Sequence, residues 1–370
     1  PPYIPSSWLH TYNKCLLYRR CFIVEDTNNS SWHKTRLPMP EAIYSLGTAK
    51  NAEYATTKFR YTYSSLTTPL QTVEYDFISN KTAILKETPV PHYDRSLYHG
   101  ERVEATASDG TAIPMSVIYR KDKKKAEGQP QALHLYGYGS YEAPIEPNFQ
   151  ATILPLLDRG VVYVIAHIRG GGENGRTWYE AAKYLTKMTT FTDFIACAEH
   201  LVATKVTSPS HMTCEGVSAG GLLIGAVLNM RPDLFTATIA AVPFVDVMNS
   251  MCDATIPLTT VEWAEWGNPN ELKYFTYMLQ YSPYDNVKAQ AYPNLLVTSG
   301  LFDPRVAYWE PTKWVAKLRD LKTDNNQVLF KIDLDGGHCA HLNVNDRYHF
   351  LKEKTVNLSF LLDQLKCLEK

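Results

Sequence analysis

A serine held between glycines, an aspartate and a histidine occur along this chain in an order that could cleave an acyl bond. The serine is Ser218, in Thr213-Cys214-Glu215-Gly216-Val217-Ser218-Ala219-Gly220-Gly221. Gly216, Ser218 and Gly220 fit Gly-x-Ser-x-Gly, the pattern of a sharp strand-to-helix turn that lifts the serine hydroxyl clear of the backbone. Side chains at the flanking positions would collide with the adjoining strand and helix, and glycine removes the collision. The amide of Ala219, at the start of the following helix, would point at the oxygen of a carbonyl attacked by Ser218 and stabilise its developing charge. Five residues also match by chance, as an ordinary Gly/Ser turn. Context favours the turn with chemistry: residues 211–215 alternate apolar positions after Thr207-Ser208-Pro209-Ser210, and residues 222–230 form a strong helix pattern closed by Arg231-Pro232.

A serine hydroxyl is a weak nucleophile until a base takes its proton, and in this setting the partners follow in the order Ser, Asp or Glu, His. Residues 295–299 read as a strand running into Gly300-Leu301-Phe302-Asp303-Pro304-Arg305, which places Asp303 in a strand-end loop. Residues 328–333 run into Asp335-Gly336-Gly337-His338, a loop able to bring His338 over Ser218. Order, strand-end position and adjacent glycines single out His338 from the eleven histidines, with His341 as the fallback. Asp246 also follows a strand but stands too close behind the elbow. A second pattern, Gly170, Gly172 and Gly175, matches the Gly-x-Gly-x-x-Gly of a dinucleotide loop. Strands and a hairpin precede it, and no acidic residue ends the following strand, so the expectation is a tight surface loop beside the active site.

The elements that must position these residues change character along the chain. Residues 59–63, 72–77 and 81–86 alternate as short strands, giving a β-meander in a segment 1–90 that has too little core to stand alone. Thr88-Pro89-Val90-Pro91 reads as a boundary, because paired prolines end local pairing. Beyond it, over 91–370, residues 103–107 and 112–119 form a hairpin around Asp109-Gly110. Strands at 132–136, 161–168, 211–215, 238–242, 294–299 and 327–333 alternate with helices at 149–157, 191–203, 218–230, 311–321 and 347–365. Continuous apolar runs such as Val161-Val162-Tyr163-Val164-Ile165-Ala166 imply an α/β fold with a mostly parallel eight-stranded sheet covered on both faces. Ligands of such sheets gather at the carboxyl ends of the strands, where Ser218 falls.

Composition bounds the rest. With 370 residues, 45% of them hydrophobic, the chain can bury a large core, and a formal net charge of -1 offers no global field for nucleic acid or anionic lipid. The basic run Lys121 to Lys125 reads as a solvated loop tip. Seven scattered cysteines without a Cys-x-x-Cys pair argue against a disulfide framework and against a zinc site, so a reducing, cytosolic setting is expected, with no metal or cofactor. No apolar stretch reaches the ~18 residues of a membrane span. The start Pro1-Pro2-Tyr3 has no initiator Met, which points to a processed or incomplete chain.

Six motifs, Tyr136-Gly-Tyr-Gly-Ser-Tyr141, His167-Ile-Arg-Gly-Gly-Gly-Glu173, Glu215-Gly-Val-Ser-Ala-Gly-Gly221, Asn229-Met-Arg-Pro-Asp-Leu-Phe235, Glu262-Trp-Ala-Glu-Trp-Gly-Asn-Pro-Asn270 and Asp303-Pro-Arg-Val-Ala-Tyr-Trp-Glu-Pro311, resemble the oligopeptidase B branch of the prolyl oligopeptidase family. The resemblance implies a β-propeller in front of an α/β-hydrolase domain, and a serine endopeptidase of short basic peptides that cleaves after Arg or Lys. It also implies roles: Tyr138 joins the Ala219 amide in an oxyanion hole, Glu262 pairs with the cationic P1 side chain, Glu146 is one acid of the S2 pair, and Arg305 holds a substrate carbonyl. Ala264 and Asn148 stand where the family has second acids, which implies a shallower preference. The run Cys339-Ala-His-Leu-Asn-Val-Asn345 after His338 is longer than in the family, and segment 1–90 amounts to about two propeller blades at ~40 to 45 residues each. The alternative from another class is a truncated, inactive relative that acts as a binding protein. A short propeller remnant would also leave a sheet edge exposed, from which aggregation or oligomerisation is expected.

Overall fold

The computed structural model describes residues 8–12, 20–26, 32–53, 55–126, 128–338 and 348–368, with side chains from Arg36 onward. The N-terminal strands form two antiparallel sheets. One has the order β1 (Trp8–Tyr12), β2 (Arg20–Asp26), β3 (Trp32–Arg36). The other runs β4 (Ser45–Thr48), β5 (Lys58–Ser64), β6 (Gln71–Asp76), β7 (Lys81–Glu87), its last three strands being the expected meander. On β5 the period of two turns Tyr61 and Tyr63 to one face, where they pack with Leu37, Tyr44, Leu46, Val73 and Tyr75 in a small core. Glu41 gathers the hydroxyls beneath the next turn, accepting hydrogen bonds from Tyr63, Thr67 and Thr68. Burial alone would raise the Glu41 pKa, and the hydroxyls of Thr67, Ser65, Tyr63 and Thr68 together lower it instead. That turn leans on the rest of the chain: Leu66 is buried with Tyr98, Ile118 and Ile165, and the Tyr93 hydroxyl donates to the Thr67 carbonyl at 2.7 Å.

The remaining strands are β8 (Tyr98–Thr106), β9 (Ala112–Arg120), β10 (Leu133–Tyr136), β11 (Val162–Ala166), β12 (Met212–Val217), β13 (Ala237–Ala241), β14 (Asn294–Gly300) and β15 (Val328–Asp333). They make one eight-stranded sheet in the order β15-β14-β13-β12-β10-β11-β9-β8. The strands from β10 to β15 are mutually parallel, while β9 runs antiparallel to β11 and β8 antiparallel to β9. The mostly parallel sheet is therefore present, with a hairpin at one edge. The helices are α1 (Leu154–Leu157), α2 (Arg176–Glu180), α3 (Met188–Ala203), α4 (Ala219–Met230), α5 (Val247–Cys252), α6 (Thr259–Trp266), α7 (Leu272–Leu279), α8 (Trp309–Leu321) and α9 (His349–Gln364).

Both faces of the sheet are covered, which is why β11 is apolar throughout. Its Val162, Val164 and Ala166 pack toward α3 and α4 with Phe191, Phe194, Leu222 and Leu223. Tyr163 and Ile165 point the other way, into a core with Leu156 and Leu157 of α1 and Leu358 and Leu362 of α9. The helix expected over 149–157 is a correction: Ala151–Ile153 is a 3-10 turn and α1 a single α-turn. Gln150 is extended at its start, Pro155 sits in the first turn, and the chain leaves through Gly160 at φ 80°. Among the described side chains Cys197, Cys214, Cys252 and Cys367 are free thiols, and no helix among the described residues is long and apolar enough to cross a membrane.

Candidate active site

At the carboxyl end of β12, Ser218 takes φ 59° and ψ -115°, and α4 begins at the next residue. A non-glycine residue at positive φ is strained and persists only where its surroundings hold it. Backbone bonds do so: the Ser218 N–H donates to the Ala241 carbonyl at 2.9 Å, and the Ser218 carbonyl accepts the N–H groups of Gly221 at 2.8 Å, Leu222 at 3.2 Å and Phe244 at 3.2 Å. A Cβ at Gly216 would stand 2.1 Å from the Gly220 carbonyl oxygen, so the flanking glycine is required by contact.

The loops after β14 and β15 bring the other two residues in. His338 Nε2 lies 2.9 Å from Ser218 Oγ, and His338 Nδ1 lies 2.8 Å from Asp303 Oδ2. The second oxygen of Asp303 accepts the backbone N–H groups of Arg305 at 2.8 Å and Val306 at 2.9 Å, which fixes the plane of a carboxylate whose side chain is fully buried. The two loops touch backbone to backbone: a Cβ at Gly300 would meet the Gly337 carbonyl oxygen at 2.2 Å. Asp246, the rival acid, is committed elsewhere, bonded by Lys313 and Asn249. His341, the fallback base, and the long run 339–345 lie outside the described residues.

The serine opens onto a cavity of about 350 Å³ that Tyr138, Ala219, Glu262, Arg305 and Glu310 also line. Tyr138 and Ala219 thus stand on the wall of the cavity onto which the nucleophile opens. Glu262 comes from α6, its Oε2 accepting the Tyr141 hydroxyl at 2.8 Å and the Trp266 indole N–H at 3.0 Å. Arg305 is exposed at the rim. Glu146 does not line this cavity; its segment packs elsewhere, with the Ile145 N–H on Glu173 Oε1 and the Phe149 N–H on Ser64 Oγ. Ala264 is exposed and off the cavity wall.

Several residues around the site were not singled out in the sequence. Lys187, 1% exposed, donates from Nζ to the Gly139 carbonyl at 2.6 Å and to Ser140 Oγ at 2.9 Å, tying down the loop that carries Tyr138 and Tyr141. Burial pushes its ammonium down to about 8. Glu265 braces the same loop, accepting the Tyr141 N–H at 2.8 Å and the Tyr179 hydroxyl. Glu310, 3% exposed, accepts the Val245 and Asp246 N–H groups on Oε2 and the Ser250 hydroxyl on Oε1, and burial pushes its carboxyl up to about 7. Tyr141, Glu265 and Glu310 sit inside the motifs quoted above, so the signal was present without a geometry to interpret it.

The loop Gly170 to Gly172 is buried, which corrects the expectation of a surface loop. It runs under the cavity-lining loop, the Glu142 N–H donating to the Gly170 carbonyl at 3.2 Å, and Arg169 before it is locked by Asp193 and Asp109. Among the described residues no group of three or more His, Cys, Asp or Glu side chains could hold a metal ion.

A sequence profile of the prolyl oligopeptidase family matches residues 147–366. The chain belongs to the prolyl oligopeptidase family. Within that family it is 48% identical over 326 residues to dipeptidyl aminopeptidase BI of Pseudoxanthomonas mexicana, covering 88% of this chain and 44% of that protein. To Protease 2 of Moraxella lacunata it is 44% identical, covering 88% of this chain and 46% of the relative. Among solved structures, oligopeptidase B from Leishmania major superimposes with a TM-score of 0.87 at 50% identity, over 95% of this chain and 49% of that one. Oligopeptidase B from Trypanosoma brucei with covalently bound antipain gives 0.85 at 49% identity, over 94% of this chain and 49% of that one. The chain thus spans about half the length of the prolyl oligopeptidase relatives it matches, and its β-rich N-terminal part is consistent with a propeller remnant.

Proposed function

We propose that this protein is a serine peptidase that cleaves short peptides after Arg or Lys, with residues 91–370 as the catalytic unit. The observation that carries the reading is the hydrogen-bonded chain Asp303, His338, Ser218 opening onto a cavity that Glu262 lines. His338 Nε2 takes the proton of Ser218 Oγ as that oxygen bonds to the substrate carbonyl carbon, and Asp303 stabilises the imidazolium through Nδ1. The carbonyl oxygen, now carrying the charge, is held by the Ala219 amide and the Tyr138 hydroxyl. His338 returns the proton to the leaving amine as the C–N bond breaks, and a water repeats the sequence to release the acid. Arg305 at the rim holds a substrate main-chain carbonyl. Glu262 receives the cationic side chain, while Glu146, off this wall, is given no contact with it. The Trypanosoma brucei neighbour carries covalently bound antipain, which supports a reading with a covalent step.

The test is hydrolysis of short amide substrates that differ only at P1. kcat/KM should be higher for Arg than for Phe or Pro, and Glu262→Ala should fall most on the Arg substrate, because removing one partner of a buried charge pair costs about 2 to 5 kcal/mol. Equal Arg-to-Phe ratios in parent and variant would remove Glu262 from the pocket. A serine-reactive fluorophosphonate should label the parent and spare Ser218→Ala; labelling indifferent to that substitution would remove Ser218.

A further inference from the structure

The cavity beside Ser218 holds a second carboxylate, and its surroundings leave that carboxylate's charge uncompensated. Glu310 lines the same walls as Glu262 but is the deeper of the two, 3% exposed where Glu262 is half-buried. Its partners are neutral: two backbone N–H groups on Oε2 and one serine hydroxyl on Oε1. A carboxylate offers about four acceptor sites, so one on Oε1 remains. Lys313, one turn along α8, is bonded to Asp246 instead. Arg305 stands on the cavity rim and among the described residues forms no ion pair with Glu310. A buried carboxylate without a cation is expensive to ionise, and a cation arriving in the cavity would relieve that cost.

We propose that Glu310 is a specificity-determining residue, the deep counter-charge of a cationic P1 side chain whose outer counter-charge is Glu262. The inference rests on the reading of this cavity as the P1 pocket. On this reading the second negative charge comes from α8, on the cavity wall, whereas position 264, an alanine, lies off it. The groups facing Glu310 are Asp246 and Ser250 beside it, Lys313 with Tyr284 behind Asp246, and Glu262, Tyr141 and Arg305 along the cavity. Asp246 keeps Lys313 as its partner, so Glu310 is the group that changes protonation when a cation binds. With its carboxyl held near 7, cation binding just below that pH expels a proton, and affinity rises with pH by up to about tenfold per unit.

Benzamidine, a cation that is not turned over, tests this by titration calorimetry on the full chain in buffers of different ionisation enthalpy. The parent should release a proton on binding at about pH 6 and bind without release at about pH 8, and the neutral isostere benzamide should release none. Glu310→Gln, which keeps the side-chain shape and an acceptor, should bind more weakly and lose the release. Glu262→Gln should bind more weakly and keep it. Release that survives Glu310→Gln, or that disappears in Glu262→Gln, overturns the proposal, as does the absence of release in the parent. Should Glu310→Gln fail to fold, parent and Glu262→Gln still decide. Benzamidine binding with proton release but no amide hydrolysis would sink the peptidase reading and leave this inference standing. Hydrolysis of Arg and Phe substrates without any benzamidine binding would do the reverse.

Discussion

Strands β11 and β7 sit at opposite extremes of burial: every residue of Val162–Ala166 is buried and every residue of Lys81–Glu87 is exposed. β11 has a strand on each side and helices over both faces, whereas among the described residues β7 has one neighbour, β6. The candidate catalytic residues all belong to the first kind of environment. Ser218, Asp303 and His338 hang from the ends of β12, β14 and β15, and strained or glycine-pinned backbone at each junction is tolerated because a doubly covered sheet over-determines it. The four-stranded sheet, with seven buried hydrophobic residues in its core, can hold strands together but not fix three loops to within a hydrogen bond.

The sharpest way to break this contrast is to move activity from one region and stability from the other. Ser218→Ala should lower kcat by at least about 10⁴-fold while leaving the melting temperature unchanged. Leu135→Ala, at a fully buried position of β10, should cost about 2 to 5 kcal/mol in a denaturant titration. Glu41→Ala, which strands the hydroxyls of Tyr63, Thr67 and Thr68, should cost about 1 to 3 kcal/mol with kcat on short amides unaltered. A Glu41→Ala variant that folds but lacks the parent's turnover would show the two regions to be one functional unit.

The same contrast governs what could be read from the residues alone. The elbow was legible because its glycines have a local steric cause, and Asp303 and His338 because strand ends and chain order narrow the choice. The eight-stranded sheet announced itself through two-sided apolar runs such as that of β11. Less legible was α6, which carries Glu262: its eight residues Thr259 to Trp266 show no clean apolar stripe, and it starts after Leu258 in a left-handed conformation without a side-chain cap. The helix expected over 149–157 failed because Pro155 and the tie of Phe149 to Ser64 override a good apolar pattern. Lys187 stood in no motif and Glu310 stood in one without a readable role, because their partners lie 48 and 65 residues away.

Lys187 sharpens the comparison through pH. In the folded chain burial holds it at about 8, whereas an unfolded lysine titrates near 10.4, so between those values the unfolded state binds more protons. Stability should therefore rise with pH across that window, and the rise attributable to Lys187 should vanish in Lys187→Met. That variant also loses the bonds from Nζ to Gly139 and Ser140. Because those bonds seat Tyr138, kcat should fall more than affinity for benzamidine. Parallel stability-versus-pH curves for parent and variant would show that Lys187 does not carry a depressed pKa.

The smallest folding effect belongs to β7, and it separates stability from association. Ile84 is 59% exposed and Leu85 49% exposed, so replacing both by Lys removes few contacts and should shift stability by no more than about 0.5 kcal/mol. Association is another matter, since an edge strand with exposed apolar side chains offers unpaired backbone groups to a second chain. Lys81, Lys86 and Glu87 blunt the ends of the strand, and the register shift opposite Thr72 and Val73 bends it, which leaves 83–85 as the adhesive stretch. In analytical ultracentrifugation the parent should show concentration-dependent sedimentation, and Ile84→Lys with Leu85→Lys should sediment as a monomer with hydrolysis unchanged. A parent that is monomeric at every concentration would mean that the charged ends and the register shift already silence the edge.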